Sequence, residues 1–120
     1  MSIVLIIIGA CSFVSVTYDE AIDRVKSTEY SSDYTYGNLV EKYIKEPEWK
    51  AFTSDKDTAV VEVNGTSIEG EKICIQFTGE SGVGFSSVDT QEFKPYYFSV
   101  DGESIDAELG MAGIAMYFSN

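Results

Sequence analysis

Apolar positions follow three different patterns along this chain. They run without interruption from Ile3 to Ile8, alternate with polar positions around Ile75, and recur at helical spacing after Asp19 and again near the carboxyl end. The alternation is the clearest signal. Ile73, Ile75 and Phe77 fall on one side and Cys74 and Gln76 on the other, which predicts a half-buried antiparallel strand over Lys72–Thr78. Just before it, Thr58 to Val63 is rich in β-branched residues, with Val61 and Val63 on one face and Glu62 on the other. That strand continues past Asn64-Gly65 to Ile68, and Glu69-Gly70-Glu71 supplies a hairpin turn. A third strand is expected from Phe93 to Val100, where Pro95 marks an edge or a bulge, followed by a turn at Asp101-Gly102.

Helical spacing brackets these strands. Thr17-Tyr18-Asp19-Glu20 is a capping-box pattern, and Ala21, Ile22 and Val25 follow at helical intervals, predicting a helix from Tyr18 to Ser27. A polar stretch from Ser27 to Tyr34 reads as a loop. Thr35 then caps a second helix from Tyr36 to Glu46, with Leu39, Val40, Tyr43 and Ile44 as its apolar stripe. Pro47 disfavours helical geometry at Glu46 and ends it, leaving Trp49 and Phe52 in a connector as core plugs. Ser104 is expected to cap a closing helix from Ile105 to Phe118, with Ile105, Leu109, Ala112 and Met116 facing inward. The resulting order is that of an α+β fold: two N-terminal helices, a three- to four-stranded antiparallel sheet and a C-terminal helix.

The continuous run near the start is a different kind of signal, because no charged side chain precedes Asp19. A membrane-spanning helix needs about 20 apolar residues. This run is shorter and is interrupted by Gly9, Ser12 and Ser15. Two readings stand beside each other. Ile3 to Ile8 suits a fully buried strand, in which case the chain is a cytoplasmic domain with residues 3–16 as a core strand. Alternatively, an apolar segment followed by small residues suits an export signal. On the second reading, Ile8-Gly9-Ala10-Cys11 resembles the lipobox of bacterial lipoproteins: an aliphatic residue, two small residues, then cysteine. The resemblance implies that Cys11 becomes the amino terminus and carries the lipid. It divides the chain into a signal or lipid-anchor segment, 1–16, and a single α+β domain, 17–120. It places the protein in the bacterial cell envelope, lipid-anchored or secreted. The element order is likewise similar to β-lactamase-inhibitor-like and outer-membrane-assembly lipoprotein folds, a likeness of architecture that carries no function.

Composition narrows the chemistry. A chain of 120 residues suits one domain with a modest core. Its formal net charge of -12 repels phosphate backbones and anionic headgroups, so nucleic acid is not expected as a partner. The chain has no histidine, which removes the usual general base near neutral pH and the commonest transition-metal ligand. Its two cysteines, Cys11 and Cys74, match no zinc or redox spacing, and Cys74 reads as a packed strand residue. Gly79-Glu80-Ser81-Gly82-Val83-Gly84 follows a strand but lacks the spacing and the lysine of a phosphate loop. Asp55-Lys56-Asp57 falls short of a calcium loop, and Asn64-Gly65-Thr66 fits an N-glycosylation sequon that in a bacterial lipoprotein would simply be a turn. The acids Asp101, Glu103, Asp106 and Glu108 are accounted for by the positive end of the last helix. No catalytic residue, metal or cofactor is therefore expected. The expected role is a non-enzymatic envelope lipoprotein or secreted domain that binds protein, with Cys11 as lipid attachment and Tyr96 and Phe98 as candidate partner contacts. A small secreted hydrolase or inhibitor-like domain is the alternative.

Overall fold

The two strands legible by alternation lie side by side near the middle of a five-stranded sheet. The structure, a computed structural model, describes residues 19–54, 57–85 and 91–118. Its strands are β1 (Ile44–Thr53), β2 (Ala59–Ser67), β3 (Lys72–Thr78), β4 (Lys94–Val100) and β5 (Glu103–Ile105), each antiparallel to the next in that spatial order. Helix α1 covers 19–27, α2 is Tyr36–Tyr43, and α3 is Ala107–Phe118. The chain is thus α+β, with a five-stranded sheet in place of the three to four strands expected.

Cross-strand register explains the core. Val63, Ile75, Phe98 and Ile105 form one row across four strands, and Ala51, Val61 and Phe77 form another. Side chains in such rows share a face. The three helices close that face with Ala21 and Val25, Leu39 and Val40, and Ala107, Met111 and Ile114, all buried in the same apolar cluster. Each fully buried aliphatic side chain contributes about 1.5–3 kcal/mol of burial free energy before entropy is subtracted. Helix α2 begins where Thr35 predicted: its hydroxyl accepts from the Asn38 amide at 3.1 Å, and Asn38 Oδ1 accepts from the Thr35 amide at 3.2 Å. Gly37 lets α2 approach α1 closely, since a Cβ there would lie 2.7 Å from the Lys26 carbonyl oxygen. A buried polar clip ties α1 to the loop after β3. Arg24 Nε donates to the Gln91 carbonyl at 2.8 Å, Gln91 Nε2 donates to the Gly84 carbonyl at 2.8 Å, and Gln91 Oε1 accepts from the Glu80 amide at 3.1 Å.

Several expectations need correction. Helix α2 stops at Tyr43 rather than Glu46, and the polar stretch after it is strand β1. Pro47 does not end a helix; it lies where the β1–β2 register shifts, next to Glu46 at φ 48°. β1 is an edge strand, where a missing N–H is tolerated. Trp49 and Phe52 therefore sit in β1, on opposite faces. Trp49 stacks on Phe77 at 6.5 Å between centroids and joins the core, whereas Phe52 is buried on the other face. Asn64-Gly65-Thr66 lies within β2, which runs past Asn64-Gly65 as expected and ends at Ser67, so the turn reading of the sequon does not hold. The Asp101-Gly102 turn is present, with φ values of 52° and 88°, but it closes a hairpin onto β5. Ser104 is consequently a strand residue. The cap of α3 is Asp106, whose Oδ1 accepts from the Leu109 amide at 3.0 Å. The inner face of α3 is Ala107, Gly110, Met111 and Ile114; Leu109 and Met116, expected inside, are 71% and 68% exposed. Thr17, Tyr18 and the run from Ile3 to Cys11 lie outside the described residues.

Candidate functional site

The molecule offers three candidate sites: the contact pair expected from the sequence, the polar face of the sheet, and a groove beside α3. The contact pair separates in the structure. β4 carries an irregularity opposite Gln76/Phe77, with Phe77 facing Pro95 and Gln76 facing Tyr97. Tyr96 is the residue this bulge inserts, and it stands 72% exposed. Phe98 faces inward and is 3% exposed, packed under α3 where a Cβ on Gly110 would meet its ring. Phe98 is therefore not a surface contact. Cys11 lies outside the described residues.

The outer face of the sheet is built around one carboxylate. Glu62 is 7% exposed although it projects away from the helices. Register places Lys50, Glu62 and Gln76 in one row and Asn64 and Cys74 in the next. Gln76 Nε2 donates to Glu62 Oε2 at 2.8 Å, Asn64 Nδ2 donates to Oε1 at 3.0 Å, and the Lys50 ammonium lies 3.3 Å from Oε1. Burial alone would raise the Glu62 carboxyl. The Gln76 bond, the Lys50 charge and the Asn64 bond outweigh it and hold the group below its ordinary value. The Cys74 thiol points at Glu62 Oε2 from 3.6 Å. Burial first, then the neighbouring carboxylate, pushes that thiol up to about 12. A thiol so placed stays protonated at neutral pH and is a poor nucleophile. The arrangement is chemically closed: an ionised acid with its acceptors engaged, next to a thiol that does not ionise.

Two further acids are engaged in local structure. Asp106 is committed to capping α3, and Asp101 Oδ1 accepts from the Lys72 amide at 2.9 Å. Among the described residues no group of three His, Cys, Asp or Glu side chains is placed to hold a metal ion. Asp55 and Lys56 lie outside the described residues. In the Gly79–Gly84 loop, the Glu80 amide that would face an anion is bonded to Gln91 instead.

The third place was not foreseen. Between α3 and the sheet end lies a groove of about 290 Å³. Ile73, Val100 and Ile105 line one wall and Leu109, Gly113 and Tyr117 the other. Tyr43 and Glu69 close one end. The groove exists because α3 is apolar on nearly every side, with Glu108 its one charged residue, so burying one face leaves apolar side chains on another. Glycine at 110 and 113 keeps the helix wall low. Burial raises the Tyr43 hydroxyl above its ordinary value, and the charges of Glu69 and then Glu71 raise it further. The sequence signal for the groove was an apolar helix with too few polar positions to face water everywhere.

The fold and these sites define an α+β protein whose five-stranded antiparallel meander is covered by helices on one face. Comparison of the chain with protein-family models, curated proteins and solved structures finds no match in any of the three. Among the described residues, no helix is long and apolar enough to cross a membrane.

Proposed function

We propose that this chain is a non-enzymatic lipoprotein of the bacterial envelope, attached through a lipid on Cys11 and presenting an acidic α+β domain to a protein partner. The observation that carries the reading is the uncharged segment ending in Ile8-Gly9-Ala10-Cys11. Small residues before a cysteine let an extended backbone enter a peptidase site. A lipid on that cysteine supplies about 0.8 kcal/mol per buried CH₂, and two or more chains make the anchor stable. The domain's net charge supports the need for such an anchor, because an acidic surface is repelled by anionic headgroups. Binding rather than catalysis is supported by the closed chemistry of Glu62 and Cys74 and by the lack of histidine. Tyr96, exposed on the β4 bulge, is the contact this reading retains.

The test is the mass of the mature chain from its own host. A chain starting at Cys11 with added lipid is the expected result, and an intact Met1 overturns the anchor. Cys11→Ser is expected to move the protein out of the membrane fraction. For the partner half, Tyr96→Ala is expected to weaken capture of the partner with an unchanged unfolding curve; unchanged capture removes that contact.

A further inference from the structure

We infer that the groove between α3 and the sheet is a docking site for a cationic, amphipathic polypeptide segment, one that sets an apolar side chain against Leu109, Gly113 and Tyr117 and its lysines or arginines against Glu69, Glu71 and Glu103. The inference deepens the partner-binding half of the proposed function and is independent of the lipid anchor.

The apolar part rests on geometry. The groove's walls are aliphatic and aromatic, and glycine at 113 leaves open space where other residues would fill it: a Cβ there meets nothing within 4 Å. Apolar concavities of this kind accept side chains of an amphipathic partner. The charge part rests on register. Ile73, Val100 and Glu103 form one cross-strand row, so Glu103 shares the face of the two groove-lining residues before it and stands exposed at the open edge strand. Glu69 lines the opposite end, and Glu71 adds its field at Tyr43. Among the described residues, no lysine or arginine lines the groove. An apolar floor between carboxylates is complementary to a basic amphipathic segment. A second copy of the chain is a poor occupant, because both partners would carry a net charge of -12.

The test uses the full chain and a synthetic leucine/lysine peptide with its leucines at helical spacing, measured by calorimetric titration. Three controls accompany it. The first is a scrambled peptide of the same composition. The second is Gly113→Arg, which improves helix propensity while placing bulk and positive charge in the groove. The third is the pair Glu69→Gln and Glu103→Gln. Expected results are binding that weakens about tenfold with the scrambled peptide and at least about tenfold in Gly113→Arg, a change of roughly 1.4 kcal/mol. The two glutamine substitutions together are expected to weaken binding several-fold and to flatten its salt dependence. Equal binding by Gly113→Arg, or equal binding of the scrambled peptide, overturns the groove as the site. Retained binding with unchanged salt dependence in the glutamine pair overturns a cationic partner. If the chain's affinity for phosphatidylcholine vesicles falls on Leu109→Glu while the peptide does not bind, the face meets lipid and the inference fails. None of these outcomes depends on Cys11, so a failed anchor and a failed groove are told apart.

Discussion

The two faces of the sheet use the same strands and opposite physics. On the inner face, Val61, Val63, Ile73, Ile75 and Phe77 are covered by three helices and held by area removed from water. On the outer face, the residues between them in sequence surround a single buried carboxylate, with Lys50, Asn64 and Gln76 as its partners. The inner face is tolerant in kind and strict in volume, since another hydrophobe of similar size would fill the same space. Around Glu62 the outer face is strict in kind, because removing that carboxylate takes an acceptor from Gln76 and Asn64 and the counter-charge from the half-exposed Lys50. A face held by volume can leave a groove where its cover runs out, as it does beside α3. The saturated charge at the centre of the outer face, with Phe52 and Val60 buried beyond it, has little left to offer a ligand.

The sharpest way to break this contrast is chemical. If the outer face is closed, Cys74 must be unreactive. With Cys11→Ser leaving one thiol, a value near 12 against the ordinary 9.0 lowers the thiolate fraction at about pH 8 roughly a thousandfold. Iodoacetamide is expected to label the native protein slower than the urea-unfolded chain by about that factor. Labelling within about tenfold of the unfolded rate would show the outer face open. Next in size is the inner face. Phe77 is fully buried and meets Tyr36 at 5.0 Å and Trp49 at 6.5 Å between centroids. Phe77→Ala is expected to cost about 3–5 kcal/mol, read as a lowered urea midpoint. Trp49, the sole tryptophan, provides the fluorescence signal.

The charge at the centre of the outer face has a pH signature that the inner face lacks. The Glu62 carboxyl is held below its ordinary 4.5, so its folded value is lower than its unfolded one. Such a group contributes stability that is fully present above the unfolded value and is lost as pH falls through the folded one. Glu62→Gln is expected to cost about 1–3 kcal/mol at neutral pH, with the difference from the parent shrinking as the pH falls below the ordinary carboxyl value of 4.5. Parallel stability profiles for the two proteins down to about pH 3 would mean that the carboxylate's charge contributes nothing.

How far each face could be read in advance follows from the same contrast. Alternation at Ile73, Ile75 and Phe77 is a local signal, so β3 and its inward side chains were legible, as was the Thr35 cap. The Glu62 cluster was not, because it needs Lys50 beside Glu62, and β1 was hidden. Ile44-Lys45-Glu46-Pro47 continues the helical stripe of α2 and ends in a proline, which locally reads as a helix stop. Only pairing with β2 reveals an edge strand with a bulge. Phe98 and Tyr96 were read as neighbours on one surface because period two puts them there; the β4 bulge breaks that period. In α3 the difficulty was an excess of signal. Leu109 and Met116 are as apolar as Met111 and Ile114, so composition could not choose the inner face.

Two glycines of α3 carry the comparison of inner and outer surfaces onto a helix, with the smallest effects and opposite signs. Gly110 faces the sheet, and a Cβ there would lie 2.5 Å from Phe98 Cδ2. The ring is packed and cannot retreat freely, so Gly110→Ala is expected to cost about 1–3 kcal/mol despite alanine's better helix propensity. Gly113 is one turn on and faces open space. There the propensity term acts alone, and Gly113→Ala is expected to gain about 0.5–1 kcal/mol. Thermal unfolding of the pair separates the contributions of packing and propensity within a single helix. A stabilised Gly110→Ala would mean that Phe98 has room to move, and the inner face would then be looser than its buried rows imply.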